Sequence, residues 1–334
     1  MTRRTFLQRT VQLMLGLGIT QYLPASWQQA LAAARPRPAL PPADGFQALV
    51  FCDSQCGGSY STWHDTLASA WERFPQASFF TDIGDLADNG EDDWQWEQFL
   101  NVLRPFADAH PFRPVMGNHE CYGQDWKNCL PKKYLASFDF PENGTVQFHG
   151  YFYAFEQPPV QFVALNTQML ELDEFFGQGK LLNAQLLWLK RLLRQKKQPW
   201  TVVLMHKDIL AYDEYQPGSG SSGSFSDTGR AFLPTLQKLG VDLILTGHMH
   251  TYRRRGPLEG WSTGKKGPLC LMSGPAGNQC YTVPSDPLDL AAAPQPTEPN
   301  YLILTARPKE LTVTCLTVSG LEIDSITLKK AGQT

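Results

Sequence analysis

Residues 241–250, VDLILTGHMH, form an apolar run of strand length that stops at a glycine and two histidines one residue apart. A continuous apolar run reads as a strand buried on both faces, as in a parallel sheet between layers. Imidazoles at its carboxyl end then stand on a rigid support. The same grammar recurs upstream. Phe46 to Cys52 leads into Asp53-Ser54-Gln55, Ser78 to Ile83 into Gly84-Asp85-Leu86-Ala87-Asp88-Asn89, Phe112 to Met116 into Gly117-Asn118-His119-Glu120, and Trp200 to Met205 into His206. Helical periodicity lies between and around these runs, at Thr62 to Phe74, Asp93 to Ala107, Leu182 to Lys197 and Arg230 to Leu239. Strands alternating with helices predict an α/β sheet, and such sheets bind ligands beyond the carboxyl ends of their strands. Five polar clusters are therefore expected at one mouth.

The tail differs. Tyr301 to Thr305, Leu311 to Val318 and Leu321 to Leu328, joined by turns at Pro308-Lys309 and Ser319-Gly320, predict an antiparallel meander that finishes a second sheet. Of the 334 residues, 42% are hydrophobic and 18% charged, which excludes a disordered chain and a collagen-like repeat. The 29 basic against 32 acidic residues also argue against a nucleic-acid partner, which would call for a basic domain.

At the N-terminus, Thr2-Arg3-Arg4-Thr5-Phe6-Leu7-Gln8 precedes a charge-free stretch, Val11 to Ile19, and small residues around Ala30 to Ala34. This resembles a bacterial twin-arginine export signal. The apolar stretch is short of the roughly 20 residues that a spanning helix needs, so no stable membrane insertion of the mature chain is expected. The expected organisation is a signal at 1–34, a proline-rich linker at 35–44 and a single domain at 45–330. The resemblance implies a periplasmic or secreted protein handled, already folded, by the twin-arginine machinery.

Seven cysteines leave at least one unpaired. Cys121 with Cys129 and Cys270 with Cys280 are spaced to close small loops in an oxidising compartment, with buried free thiols as the competing reading. For Cys52 and Cys315, within strand-like runs, the free thiol is preferred.

The polar clusters offer carboxylates, one carboxamide from Asn118, Gln55 and three histidines, a donor set suited to Mn, Fe, Zn or Co. In order, DxQ, GDxxDN, GNHE, a lone His after an apolar strand, and GHMH resemble the calcineurin-like metallophosphoesterase superfamily, whose pattern is DxH, GDxxD, GNH(D/E), H and GHxH. The resemblance implies a four-layer α-β-β-α sandwich of two mixed sheets flanked by helices. It also implies a phosphate-ester hydrolase with two divalent or trivalent ions (Fe, Mn, Zn or Mg). Asp53, Gln55, Asp85 and His250 would bind the first ion and Asn118, His206 and His248 the second, with Asp85 bridging. A metal-bridging hydroxide would attack, and His119 would act as general acid with its ring held by Asp88.

QLLWLKRLL, VVLMHKDIL, LILTGHMHTYRRR and LTVTCLTVSGLEIDSITLKK are similar to segments of the purple acid phosphatase branch. There a Tyr normally stands three residues after the bridging Asp. Asp88 occupies that place, which argues against a tyrosinate-iron chromophore. Gln55 replaces the usual His with a harder, weaker donor.

Arg253-Arg254-Arg255 reads either as a positive rim for phosphate or as a solvated basic loop, with Arg254 and Tyr252 the substrate-contact candidates. Tyr252 and Trp261 are candidates to stack on an aromatic leaving group, and Pro217 to Gly229 reads as a lid or a surface excursion. Asp82 falls on the other face of its strand and is left out of the ligand set. His64, His110 and His149 belong to no block and are expected to be structural or solvent-facing. The expected substrate is a small phosphomonoester. The alternatives are a phosphodiesterase and a non-catalytic metal-binding protein on the same fold.

Overall fold

The computed structural model describes residues 41–195, 198–211, 225–295 and 297–330. The expected export signal, most of the linker and most of the Gly/Ser-rich loop lie outside them. After the linker come β1 (Phe46–Phe51), α1 (Ser61–Arg73), β2 (Phe79–Asp82) and α2 (Asp93–Ala107). A short helix α3 (Lys132–Ser137) precedes β3 (Tyr153–Gln157), β4 (Val160–Leu165), α4 (Met169–Phe176), α5 (Lys180–Arg194) and β5 (Trp200–Met205). Then follow α6 (Asp227–Lys238), β6 (Leu243–Thr246), β7 (Arg253–Arg255) and a small hairpin, β8 (Leu258–Glu259) with β9 (Ser262–Thr263). The chain closes with β10 (Leu269–Met272), β11 (Asp289–Ala292), β12 (Asn300–Ala306), β13 (Glu310–Thr317) and β14 (Glu322–Lys329).

Two mixed sheets flanked by helices result, as the family resemblance implies. One is five-stranded, in the order β14-β13-β12-β1-β2, and the other seven-stranded, in the order β11-β7-β10-β6-β5-β4-β3. The tail meander therefore extends the sheet of β1, which pairs with β12 antiparallel and with β2 parallel. The sheets meet through aromatic rings. Phe79 of one sheet sits edge-on to Phe155 and Phe162 of the other, with centroids 5.3 and 5.2 Å apart. Outside the first sheet, Trp63 and Trp71 of α1 pack on Phe51 and Phe80 at 5.2 and 5.6 Å. Such contacts fix where the strand ends stand, because a close-packed interior leaves no room to slide.

Two readings of secondary structure need correction. Phe112 to Met116 is not a strand. It runs beside β2 with only an isolated parallel bridge, Phe80 to Phe112, because Pro111 and Pro114 have no N–H to give a ladder. It still lies where a strand would, since Arg113 and Val115 donate to the carbonyls of Phe80 and Asp82 at 3.0 and 2.8 Å. The helix expected from Arg230 begins at Asp227, because the Ser226 hydroxyl accepts the Gly229 N–H at 3.0 Å as its cap. The β3–β4 hairpin falls where no strand was expected. All seven cysteines are free thiols, although the Cys129 N–H donates to the Cys121 carbonyl at 2.8 Å.

The three arginines form β7, not a solvated rim. Alternation sends Arg253 and Arg255 to one face, where both pair with Asp289 at 3.4 and 2.9 Å, and Arg255 also reaches Asp208 at 2.8 Å. Arg255 is fully buried. Arg254 goes to the opposite face and pairs with Asp324 of β14 at 2.6 Å, where Tyr252 Oη donates to the same carboxylate at 2.7 Å. Removing one partner of a buried charge network leaves the others uncompensated, at about 3–5 kcal/mol. Arg255→Met is accordingly expected to lower the unfolding free energy by about that amount, read from the urea midpoint at constant slope.

Candidate metal centre

The site begins where strands stop. Immediately past β1, β2 and β6, four non-glycine residues adopt positive φ: Asp53 at 54°, Asp85 at 60°, His248 at 74° and His250 at 47°. Left-handed backbone costs an L-residue roughly 1–2 kcal/mol, so four such residues at one mouth are strain held in place by the surrounding sandwich. The conformation turns the chain sharply at the strand end while aiming each side chain into the mouth.

Close approach of the strand ends needs absent side chains. A Cβ on Gly247 would lie 1.7 Å from Cys52 Sγ, and one on Gly117 would lie 2.1 Å from Asp85 Oδ1. Across the first of these contacts the His248 N–H donates to Asp53 Oδ1 at 3.0 Å, which ties the two sheets together at the site.

Two trios of ligand-type side chains share one carboxylate. Asp53, Asp85 and His250 have potential ligand atoms within 4.8 Å of one another, and so do Asp85, His206 and His248. Asn118 Oδ1 joins the second trio, 3.1 Å from His206 Nε2, which itself lies 3.0 Å from Asp85 Oδ2. The Gln55 backbone N–H donates to the Asp85 carbonyl at 2.9 Å, and its side chain is fully buried. A further grouping, Cys52 with Asp53 and His206, is a poorer donor set. Burial pushes the Cys52 thiol up, and His206 Nδ1 is already engaged by the Ile83 carbonyl at 3.0 Å.

Ring orientation follows from the outer contacts. Only a protonated Nδ1 satisfies the carbonyl of Ile83, so in a neutral His206 the lone pair sits on Nε2, toward Asp85 and Asn118. His250 repeats the device with its Nδ1 2.7 Å from the Gln279 carbonyl, and burial pushes this imidazole down to about 4. Burial opposes charge on Asp85, yet His206 and His119 hold its carboxyl well below the usual range. Burial and the Asp85 charge push Asp53 up.

The residues suit cations by a simple test. Asp53 Oδ2 and both polar atoms of the Gln55 amide are buried without a hydrogen-bond partner among the described residues. Buried polar atoms are ordinarily satisfied, so an orphaned carboxylate oxygen and an orphaned amide on the Asp53–Gln55 turn mark the place of a ligand. Oxygen and imidazole donors match the first-row cations and magnesium rather than thiolate-loving metals.

His119 lies at the edge, in a 3-10 turn at His119–Cys121, with Nε2 3.9 Å from Asp85 Oδ2. Its Nδ1 is 2.6 Å from the backbone carbonyl of Asp88 and 3.7 Å from that residue's carboxylate. The main chain of Asp88 thus does most of the holding. Burial works against a charge on His119, but Asp85 and Asp88 raise its affinity for a proton.

Glu120 was given no role by sequence reasoning. Its buried carboxylate accepts N–H groups from Asp85 at 3.0 Å, Leu86 at 2.8 Å and Gly117 at 2.6 Å, and so stitches the Asp85 loop to the Asn118 loop. Its place as the last letter of GNHE was the available signal. Gln279, also missed, belongs to a loop with no motif. Asp82 accepts the Gly84 N–H at 3.2 Å and belongs to neither trio. Arg254 and Tyr252 are engaged with Asp324, and Trp261 packs on Phe225 at 4.8 Å.

Residues 47–252 match the family described as calcineurin-like phosphoesterase. Purple acid phosphatase 21 of Arabidopsis thaliana is 26% identical over 185 residues, covering 55% of this chain and 40% of its own length. Probable inactive purple acid phosphatase 24 of the same plant is 28% identical over 192 residues, covering 53% of this chain and 29% of its own length. The chain spans less than half the length of either. A purple acid phosphatase isolated from yellow lupin (Lupinus luteus) seeds superposes with a TM-score of 0.70 at 20% identity, over 88% of this chain and 55% of that one, a likeness of fold. The family match covers more than half of the sequence and encloses every block from Asp53 to His250, so this chain belongs to the calcineurin-like phosphoesterase family.

Proposed function

We propose that the protein is a dinuclear metal-dependent phosphatase acting on small phosphomonoesters. The observation that carries this is the pair of ligand trios joined at Asp85. Asp53, Gln55, Asp85 and His250 would hold one cation, and Asp85, Asn118, His206 and His248 the other. Bound there, the ions would supply Lewis acidity toward phosphoryl oxygens and acidify a water toward neutral pH. The chain's own task is to place the ester and move a proton. His119 is poised at the rim with Nδ1 fixed by the Asp88 carbonyl, which leaves Nε2–H of the cationic ring to protonate the departing alkoxide. The purple acid phosphatase relatives support a monoester, and a phosphodiester is the alternative that rates on chromogenic mono- and diesters separate. The paired arginines and apolar stretch at the N-terminus support export by the twin-arginine route to the periplasm or beyond. Gln55 favours a second reading, metal binding without catalysis, because a carboxamide is a weaker ligand than imidazole.

Three outcomes follow for protein purified after native export. Elemental analysis should find about two metal ions per chain, and Asp85→Asn, which alters the shared ligand, should lose both. A strong chelator should abolish hydrolysis and lower the melting temperature, with recovery on metal return. His119→Ala should reduce kcat by about 10²–10⁴ while the metal content stays at the wild-type level. If wild type binds metal and hydrolyses no phosphate ester, the non-catalytic reading replaces the first.

A further inference from the structure

Large aromatic side chains border the imidazoles of the centre. Trp126 is 58% exposed, its ring perpendicular to that of His119 with centroids 6.0 Å apart. Tyr122 stands 5.6 Å from His119 and 6.3 Å from Trp126. From another loop, Tyr281, 41% exposed, stacks on His250 at 4.2 Å with planes 19° apart. Exposed indole surface beside a proton donor contributes little to the core.

The presentation of Trp126 is built. Tyr122 and Asn128 form an antiparallel bridge, the Gly123 N–H donates to the Lys127 carbonyl at 2.8 Å, and the Trp126 N–H donates back to the Gly123 carbonyl at 2.8 Å. At the tip of this closed turn Trp126 itself has φ of 61°, a left-handed conformation that a bulky residue rarely adopts. A strained residue holding an exposed ring next to a reactive group points to a ligand that the ring meets.

We propose that Trp126, with Tyr122 beside it, forms a subsite next to His119 for a flat aromatic leaving group, so that the favoured substrates are aryl phosphates. This rests on the phosphatase reading above. The proton from His119 goes to the ester oxygen, so the group attached to that oxygen lies within reach of the rings around His119. In the reaction, oxygen from water bonds to phosphorus, the bond from phosphorus to the aryl oxygen breaks, and that oxygen leaves protonated as a phenol. A ring directly on the ester oxygen suits the 6.0 Å spacing of Trp126 from His119, whereas a nucleobase stands a sugar further away. Aromatic pairs prefer offset or edge contacts at centroid distances of about 4.5–7 Å, the range in which the exposed Trp126 ring would meet a phenyl group.

The test compares kcat/KM for phenyl phosphate, glycerol 1-phosphate and adenosine 5′-monophosphate in wild type, Trp126→Gly and Trp126→Phe. Glycine removes the ring and tolerates the left-handed backbone, which protects the fold. Binding of phenylphosphonate and methylphosphonate by calorimetry gives a readout independent of turnover. Wild type should prefer phenyl phosphate, Trp126→Gly should lower the phenyl-to-glycerol ratio about tenfold, and Trp126→Phe should keep most of it. The phenyl-to-methyl ratio of phosphonate affinities should fall in parallel. Equal losses on all three esters, an unchanged ratio, or a loss confined to the nucleotide would overturn the subsite while leaving the phosphatase reading in place. If wild type hydrolyses none of the esters, the phosphatase reading fails and takes the subsite with it.

Discussion

Everything at the centre depends on one contact between the two sheets. Gly247, just past β6, lies against Cys52, just past β1, so closely that even a methyl group would collide with the sulfur. Because of that approach the His248 N–H bonds the Asp53 carboxylate, and donors from separate sheets reach a common point near Asp85. Each sheet alone carries an incomplete set, with Asp53 and Asp85 in one and the three histidines in the other. The aromatic layer between them, Phe79 against Phe155 and Phe162, holds the register that makes the meeting possible.

The local geometry is unfavourable on its own terms. Four ligand-type residues are left-handed, carboxylates stand close together, and polar atoms of Asp53 and Gln55 are buried without partners. A structure optimised only for stability would relax these features. Here a large apolar sandwich offsets them, and Glu120 pins the Asp85 loop through backbone N–H groups rather than through further charge pairing. Strain of this kind, concentrated at the carboxyl ends of strands, is the physical mark of a site prepared for a ligand.

The arginine triplet shows where sequence reading loses its hold. Three consecutive guanidinium groups near the last ligand read either as a phosphate-attracting rim or as a solvated basic loop. In the folded chain they are divided by strand alternation between two faces, and Asp208, Asp289 and Asp324 absorb them. Those carboxylates come from 34 to 70 residues away from their partners, a separation no local pattern encodes. The same limit applies to the stacking residues. Tyr252 and Trp261 were nominated for their nearness in sequence to His250, whereas the rings beside His119 and His250 belong to Trp126, Tyr122 and Tyr281.

Apolar runs of strand length, each broken by a glycine or followed by a polar ligand type, were enough to define the α/β class and the strand mouth, because burial on both faces leaves a local hydrophobic signature, whereas the seven positions proposed as ligands followed from the resemblance of the ordered motifs to a known family. Proline placement reduced one of those runs to a bridge, and the β3–β4 hairpin, whose turn is marked by Pro158-Pro159 between two aromatic and β-branched runs, went unread. Tertiary structure alone decided which sheet the tail joins, which carboxylate meets which arginine, and that the main chain of Asp88 holds His119 more closely than its side chain does. The physical reason is distance along the chain: periodicity and capping act over a few residues, whereas pairing of buried charges and the meeting of two sheets are settled only when remote segments pack.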